Sequence, residues 1–160
     1  MGPVAWFAAT VPRVERAATI VGEGCRLVVR VTGYERPAEK SGSDANWLKG
    51  DVELLAGRTG SFRATHGVAL RTEELQRFRD ELRKTVESLT GVAILGHIEG
   101  QVGCRVELAK GRGTLTAFVR EEIGSELQVQ DCETDQSYLS QTLRELDAVL
   151  KAFPARGTGW

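Results

Sequence analysis

Apolar and polar positions alternate along much of this chain, which is the pattern of β-strands that bury one face. The clearest example is 25–34, where Leu27, Val29 and Val31 occupy every second position. Similar stretches, bounded by glycine, proline or polar turn residues, predict further strands over 18–21, 46–56, 61–70, 92–99, 102–109, 114–120 and 126–133. The pattern therefore predicts a sheet of about seven strands, most of them joined by tight turns.

Two other segments repeat their apolar residues at intervals of three and four, which is the period of an amphipathic helix. The first lies between Thr72, a suitable N-cap, and Gly91, a suitable C-terminal stop. Its apolar stripe consists of Leu75, Phe78, Leu82, Val86 and Leu89. The second helix is predicted over 136–153, with Thr134 or Asp135 as its N-cap.

Together these elements predict an α+β fold, a curved antiparallel sheet with two helices packed on it in the order strands–helix–strands–helix. We assign 18–154 to this single domain, 1–17 to a flexible N-terminal arm and 155–160 to a flexible C-terminal tail. The triplets at 52–54 and 106–108 are both Val-Glu-Leu, and a Gly-Arg turn follows each. This similarity indicates either a duplicated strand–strand–helix unit or the sequence preferences that hairpin turns share.

The composition excludes several classes of protein. The chain has 160 residues, 41% of them hydrophobic, and a formal net charge of -1, so it has no general attraction to nucleic acid or to anionic membranes. The apolar run at 4–9 is too short to span a bilayer and follows no basic residue, so we expect no signal peptide. Three widely spaced cysteines, an odd number, favour free thiols and a cytoplasmic protein.

Negative charge is concentrated in the segment 121–135, which contains six carboxylates and no basic residue. We call these six side chains the acidic strip. Its members are Glu121, Glu122, Glu126, Asp131, Glu133 and Asp135. Such a strip would steer a basic protein partner toward this surface. The alternative is a polar strand edge that charge keeps soluble.

Trp47 is the other candidate for partner binding. It lies at the start of a predicted strand and faces away from Leu48 and Val52, the apolar side of that strand. It is therefore either an exposed anchor for a partner or a residue that a helix covers.

The chain carries no recognisable catalytic or metal-binding signature. Cys25 and Cys104 fall on apolar strand faces, where cysteine packs as a small hydrophobic residue. His66 is expected in the core, whereas His97 lies on the opposite face to its apolar neighbours and is a candidate acid–base group. The alternating carboxylates of 131–135 would either hold a hard cation or form a solvated edge and a helix cap.

Five segments of the chain are typical of one family. They are Val31-Thr32-Gly33-Tyr34-Glu35-Arg36-Pro37, Asp44-Ala45-Asn46-Trp47-Leu48, the helix from Glu73 to Leu89, Asp135-Gln136-Ser137-Tyr138-Leu139 and Phe153-Pro154. In these segments and their order the chain resembles the WapI-type bacterial immunity proteins, over about residues 18 to 155. This resemblance implies a small cytoplasmic α+β protein that protects its producer by binding a toxin domain, with no cofactor and no reaction of its own. The arm through Pro12 and the tail at Trp160 lie outside it.

The function that we expect is therefore non-catalytic protein binding, with a basic toxin domain as the partner and Trp47 and the acidic strip as its contacts. A different class of function is a small-molecule-binding or enzymatic domain, with a pocket between sheet and helices and His97 as its polar group. A third possibility is a homo-oligomer that pairs through a sheet edge.

Overall fold

The computed structural model describes residues 16–64, 70–96, 100–121 and 123–157. Within these ranges the chain forms eight strands and two helices. They are β1 (Arg16–Gly22), β2 (Cys25–Tyr34), β3 (Leu48–Ala56), β4 (Gly60–Ala64), α1 (Thr72–Ser88), β5 (Gly91–Leu95), β6 (Val102–Ala109), β7 (Arg112–Arg120), β8 (Glu126–Asp135) and α2 (Gln136–Ala152). No helix in the described ranges is long and apolar enough to cross a membrane. The predicted α+β class and the order strands–helix–strands–helix are confirmed.

The described strands form two antiparallel sheets, with orders β1-β2-β3-β4 and β5-β6-β7-β8. Their number is close to the predicted seven, but they are divided between two sheets where we expected one. Alternation along a strand shows which face is buried and does not show which strand lies beside it. The alternation therefore could not predict the division into two sheets.

The buried apolar residues of both sheets and both helices form one continuous core. From α1, Leu75, Phe78 and Leu82 are fully buried, as their spacing predicted. Burying each such side chain contributes roughly 1.5–3 kcal/mol. Leu89, the last residue of the predicted stripe, is instead the C-cap of α1 with φ of 61° and remains 40% exposed.

Each helix covers the free edge of a sheet with its side chains. A carboxylate oxygen of Glu145 on α2 accepts a hydrogen bond of 2.7 Å from the backbone N–H of Thr19 in β1, and the Thr142 hydroxyl donates to the Thr19 carbonyl at 2.7 Å. On the other sheet, Glu81 of α1 accepts from the N–H of Ile94 in β5 at 2.9 Å. These bonds satisfy backbone groups that an edge strand leaves unpaired.

The two halves of the described chain share one plan, four antiparallel strands followed by a helix of 17 residues. Counted from the first residue of each helix, Glu81 and Glu145 are both at position ten. Their backbone donors, Ile94 and Thr19, are both the fourth residue of their strands. The similar triplets at 52–54 and 106–108 are not part of this repeat, because they lie in the third strand of one sheet and the second strand of the other.

The C-terminal segment is bonded to the loop between β2 and β3 as far as Arg156. The Arg156 guanidinium lies 3.7 Å from the Tyr34 ring centroid and donates to the carbonyl oxygens of Pro37 and Ala45. Its backbone N–H donates to the side chain of Asn46 at 2.7 Å. Arg156, which lies within the predicted flexible tail of 155–160, is thus in contact with the folded domain, and residues 158–160 lie outside the described ranges. At the other end, the first two residues of β1 belong to the predicted flexible arm of 1–17, and 1–15 are outside the described residues.

Candidate partner-binding surface

The strand β8 changes its inward face part-way along its length. Val129 is buried, and an unbroken alternation from that residue would turn Asp131, Glu133 and Asp135 toward the core. Thr134 is buried instead, and Glu133 is exposed. The change of phase therefore keeps the carboxylates of the strand out of the apolar interior, where burying an unpaired charge would be costly.

A β-bulge opposite Thr116 produces this change. The neighbouring register pairs join Leu115 to Cys132 and Ala117 to Val129, so that one extra residue of β8 faces Thr116. Asp131 supplies it, with φ of 52°, and its backbone N–H donates to the Thr116 hydroxyl at 3.2 Å. Aspartate is one of the few residues other than glycine that adopt this conformation readily.

The acidic strip occupies the length of β8 and the turn before it. Glu126, Asp131 and Glu133 are exposed, and Glu121 and Asp135 are half-buried. Glu122 lies outside the described residues. Because a strand rises by about 3.3 Å per residue, the two ends of β8 are roughly 30 Å apart. The strip therefore presents two separate groups of carboxylates rather than one cluster.

At the end formed by Glu126, the negative charge is partly compensated. Arg120 lies beside Glu126 in the neighbouring strand, with a separation of 3.4 Å between guanidinium nitrogen and carboxylate oxygen. The same guanidinium lies 4.6 Å from the ring centroid of Phe118. An exposed pair of this kind contributes at most about 1 kcal/mol and leaves both charges available to a partner.

At the other end, Asp135, one of the two predicted candidates, is the N-cap of α2. One of its carboxylate oxygens accepts hydrogen bonds from the backbone N–H groups of Ser137 at 2.8 Å and Tyr138 at 3.2 Å. The Ser137 hydroxyl donates to it as well. Hydrogen bonding by Ser137, followed by the Tyr138 N–H and the charge of Arg112, holds the pKa of Asp135 below its ordinary value.

Around this helix start lies a depression of about 500 Å³. We call it the Glu23 depression. It is lined by Glu23, Arg112, Gly113, Thr114, Glu133, Thr134, Asp135 and Tyr138. The turn that carries Glu23 is fixed to β8, because the Glu23 N–H donates to the Glu133 carbonyl at 2.6 Å. Three carboxylates thus surround one concave surface, with Arg112 as the register partner of Asp135 and with Tyr138 45% exposed.

Trp47 lies elsewhere on the molecule. It is half-buried, forms a bridge with Arg71 and has the Arg71 guanidinium 5.8 Å from its ring centroid. It precedes β3, whose far end at Ala56 is close to the turn that bears Glu23. The length of β3 separates the two regions by roughly 25 Å. The structure therefore does not bring Trp47 together with the Glu133 end of the acidic strip.

The other candidate groups form no metal site within the described ranges. No three Asp, Glu, His or Cys side chains there are placed to hold a metal ion, and this includes the alternating acids of 131–135. Cys25 and Cys104 are buried, as expected, and burial raises the pKa of each thiol to about 12. His66 and His97 lie outside the described residues, so the pocket expected at His97 stays untested.

The comparison with protein families gives one match, which covers most of the chain. Residues 19–154 match the model of the Immunity protein WapI-like family. The chain belongs to the WapI-like immunity protein family. Matched residues run from the fourth residue of β1 to the residue that follows the C-cap of α2, so the match includes both helices and, apart from the start of β1, both β-sheets of this WapI-like protein. No curated protein matches the chain significantly.

Sequence reasoning found the acidic residues of this WapI-like protein but missed their neighbours. Glu23, Arg112 and Tyr138 all line the Glu23 depression, and none was a candidate. They come from a turn, a strand start and a helix start that are far apart in the chain. Only the position of Tyr138 inside the motif Asp135-Gln136-Ser137-Tyr138-Leu139 gave a local signal.

Proposed function

We propose that this chain is an immunity protein that binds a toxin domain and blocks it by direct contact, without a reaction of its own. The observation that carries the proposal is the family match over residues 19–154. An immunity protein of this kind would act through the shape and charge of its surface. We place this action in the cytoplasm of the producing cell.

We propose further that the partner contacts the acidic strip, and above all its end at the Glu23 depression. Glu23 and Glu133 are exposed there on backbone that hydrogen bonds hold in place, so binding would order few additional groups. Tyr138 offers an exposed aromatic ring beside them, and tyrosine is enriched at the centre of protein interfaces. A basic loop of a toxin fits this combination.

Electrostatics should affect the rate of association more than the final affinity. The strip lies on a protein of net charge -1, so a basic partner is attracted to this side of the molecule and not to the whole surface. Arg112 and Arg120 lie among the carboxylates and would favour partner surfaces that place an acidic group opposite them. Attraction between exposed charges weakens as salt is added.

The double variant Glu126→Lys, Glu133→Lys tests the surface. Both residues are exposed and neither caps a helix, so the fold should be retained. We expect association with the toxin domain, to be sought in the reading frames next to this one, to slow by about 10-fold or more at low salt, and its salt dependence to become flatter. Surface plasmon resonance over a series of salt concentrations measures both quantities.

The matched control is Asp80→Lys, Glu87→Lys on the exposed face of α1, which changes the net charge by the same amount. It should leave association within about twofold of the unaltered chain. If the two double variants behave alike, only net charge matters and the acidic strip is not the contact surface. A Trp47→Ala variant tests the second candidate contact in the same assay.

A further inference from the structure

Two of the three cysteines lie against each other at the junction of the two sheets. Cys25 is the first residue of β2, and Cys132 follows the bulge of β8. Both side chains lie against the same glycine, Gly22, although 106 residues separate the two cysteines in the chain. Both thiols are free.

The backbone on both sides of this contact is bonded across the junction. The Glu23 N–H donates to the Glu133 carbonyl at 2.6 Å, and the Thr134 hydroxyl donates to the Val21 carbonyl at 2.8 Å. These bonds fix backbone within four residues of Cys25 and within two residues of Cys132. The two thiols are therefore held near each other by the fold itself and do not depend on their own weak contact.

Gly22 leaves the space in which the two cysteine side chains lie side by side. A Cβ atom at this position would lie 2.9 Å from Cys132 Cβ and 3.2 Å from Cys25 Sγ. Both distances are shorter than an ordinary van der Waals contact. A side chain at position 22 would therefore separate the two cysteines or displace β8.

We propose that Cys25 and Cys132 are a redox pair that closes to a disulfide between the two sheets when the protein meets a hydroperoxide. In the first step the Cys132 thiolate attacks the peroxide, an S–O bond forms, the O–O bond breaks and hydroxide or alkoxide leaves. In the second step Cys25 sulfur attacks the sulfenic acid, the S–S bond forms, the S–O bond breaks and water leaves with the Cys25 proton. Two thiols lose two electrons, and one peroxide gains them.

The environments of the two thiols assign these roles. Cys132 is half-buried and can be reached from solvent, whereas Cys25 is only 6% exposed. Burial, and then the hydrogen bond with Cys132, raises the pKa of Cys25 to about 12, so it remains a thiol until a neighbouring sulfenic acid is present. Cys104 is buried away from this pair and provides an internal reference.

The disulfide would lie directly beneath the Glu23 depression, because Glu23 and Glu133 are two residues and one residue away from the two cysteines. We infer that oxidation fixes these two carboxylates and strengthens toxin binding, an effect that rests on the proposed function. The formation of the disulfide itself does not depend on any partner. Mass spectrometry of the isolated chain and binding to the toxin domain therefore test the two parts separately.

The full chain is reduced, treated with hydrogen peroxide and alkylated after unfolding. We expect three alkyl groups before oxidation and one afterwards, with a linked peptide pair that contains Cys25 and Cys132. The oxidised form should melt about 5 to 15 °C higher, since the cross-link closes a long loop of the unfolded chain. Its affinity for the toxin domain should rise about 3- to 10-fold.

Two variants with equal numbers of thiols supply the control. Cys104→Ser should still lose both thiols, whereas Cys132→Ser should keep both in the monomer. Sulfinic acids without a linked peptide, a disulfide that involves Cys104, or a Cys104→Ser variant that resists oxidation would each overturn the redox pair. If the disulfide forms but the affinity for the toxin domain is unchanged, only the inferred effect of oxidation on binding is overturned. The proposed function is tested separately, by the charge variants.

Discussion

Asp135 has two structural roles, because it is the last residue of β8 and also the N-cap of α2. Its carboxylate accepts the backbone N–H groups of Ser137 and Tyr138, which the first helical turn would otherwise leave unpaired. The helix dipole and the charge of Arg112 both favour its ionised form. The same residue that ends the acidic strip thus holds the backbone of Tyr138 at the Glu23 depression.

We expect Asp135→Ala to lower the free energy of unfolding by about 1 kcal/mol, because it removes both cap bonds. Asp135→Asn keeps a side-chain oxygen for the cap and should lose less. Because folding lowers the pKa of Asp135, its stabilisation is complete above the ordinary value of 3.8 and is lost as the pH falls through the lower folded pKa. Urea unfolding of the three proteins at pH 7 and pH 3 measures this. An Asp135→Asn variant that loses as much stability on acidification as the unaltered chain would contradict it.

The cap at Asp135 was predictable because its signal is local: an aspartate lies two and three residues before the groups that it binds. The positive φ of Asp131 had no such signal. Nothing in the residues 129–132 distinguishes a bulge from a regular strand, and the partner of Asp131, Thr116, lies in another strand.

At the scale of elements, β8 and the two helices show how the edges of the sheets are protected. The bulge keeps Glu133 outward, while Glu81 and Glu145 bind the backbone of β5 and β1. Few charged groups therefore enter the core. Glu133 remains exposed to a partner, whereas Glu81 and Glu145 satisfy the backbone of edge strands. Helix periodicity predicted the buried stripes but not these polar contacts, because Glu81 and Glu145 resemble any solvated helix residue in the sequence.

Glu145→Ala should cost about 1–2 kcal/mol of unfolding free energy, because the Thr19 N–H is partly buried and loses its acceptor. Glu81→Ala should cost less, because Ile94 is 49% exposed and water can replace the carboxylate. Glutamine at either position keeps an acceptor oxygen and serves as the control. Urea unfolding measures both losses of stability. Equal losses for the two alanine variants would contradict the expectation that the more buried edge contact contributes more.

At the scale of the whole molecule, two similar halves enclose one core, and each half covers the other. α1 follows the first sheet and covers the edge of the second, while α2 follows the second sheet and covers the edge of the first. Each half therefore needs the helix of the other half to cover the edge strand of its sheet. The strand and helix patterns predicted the elements of this arrangement, but the exchange of helices between halves depends on contacts between distant residues.

The candidate binding surface is formed by residues from both halves of the molecule. Glu23 belongs to the first half, and Arg112, Glu133 and Tyr138 belong to the second, so the Glu23 depression forms where the two sheets meet. Sequence analysis could identify the carboxylates of one strand. It could not identify the concave surface, since that depends on the hydrogen bond between Glu23 and Glu133.

The central claim is that the protein acts by stoichiometric binding. The most direct measurement is the residual activity of the toxin domain that this chain binds, assayed at increasing molar ratios of this chain. We predict that inhibition is complete at an equimolar ratio and does not increase with time of incubation. Inhibition that proceeds with time at a small fraction of one equivalent would show turnover, and would contradict binding as the mechanism.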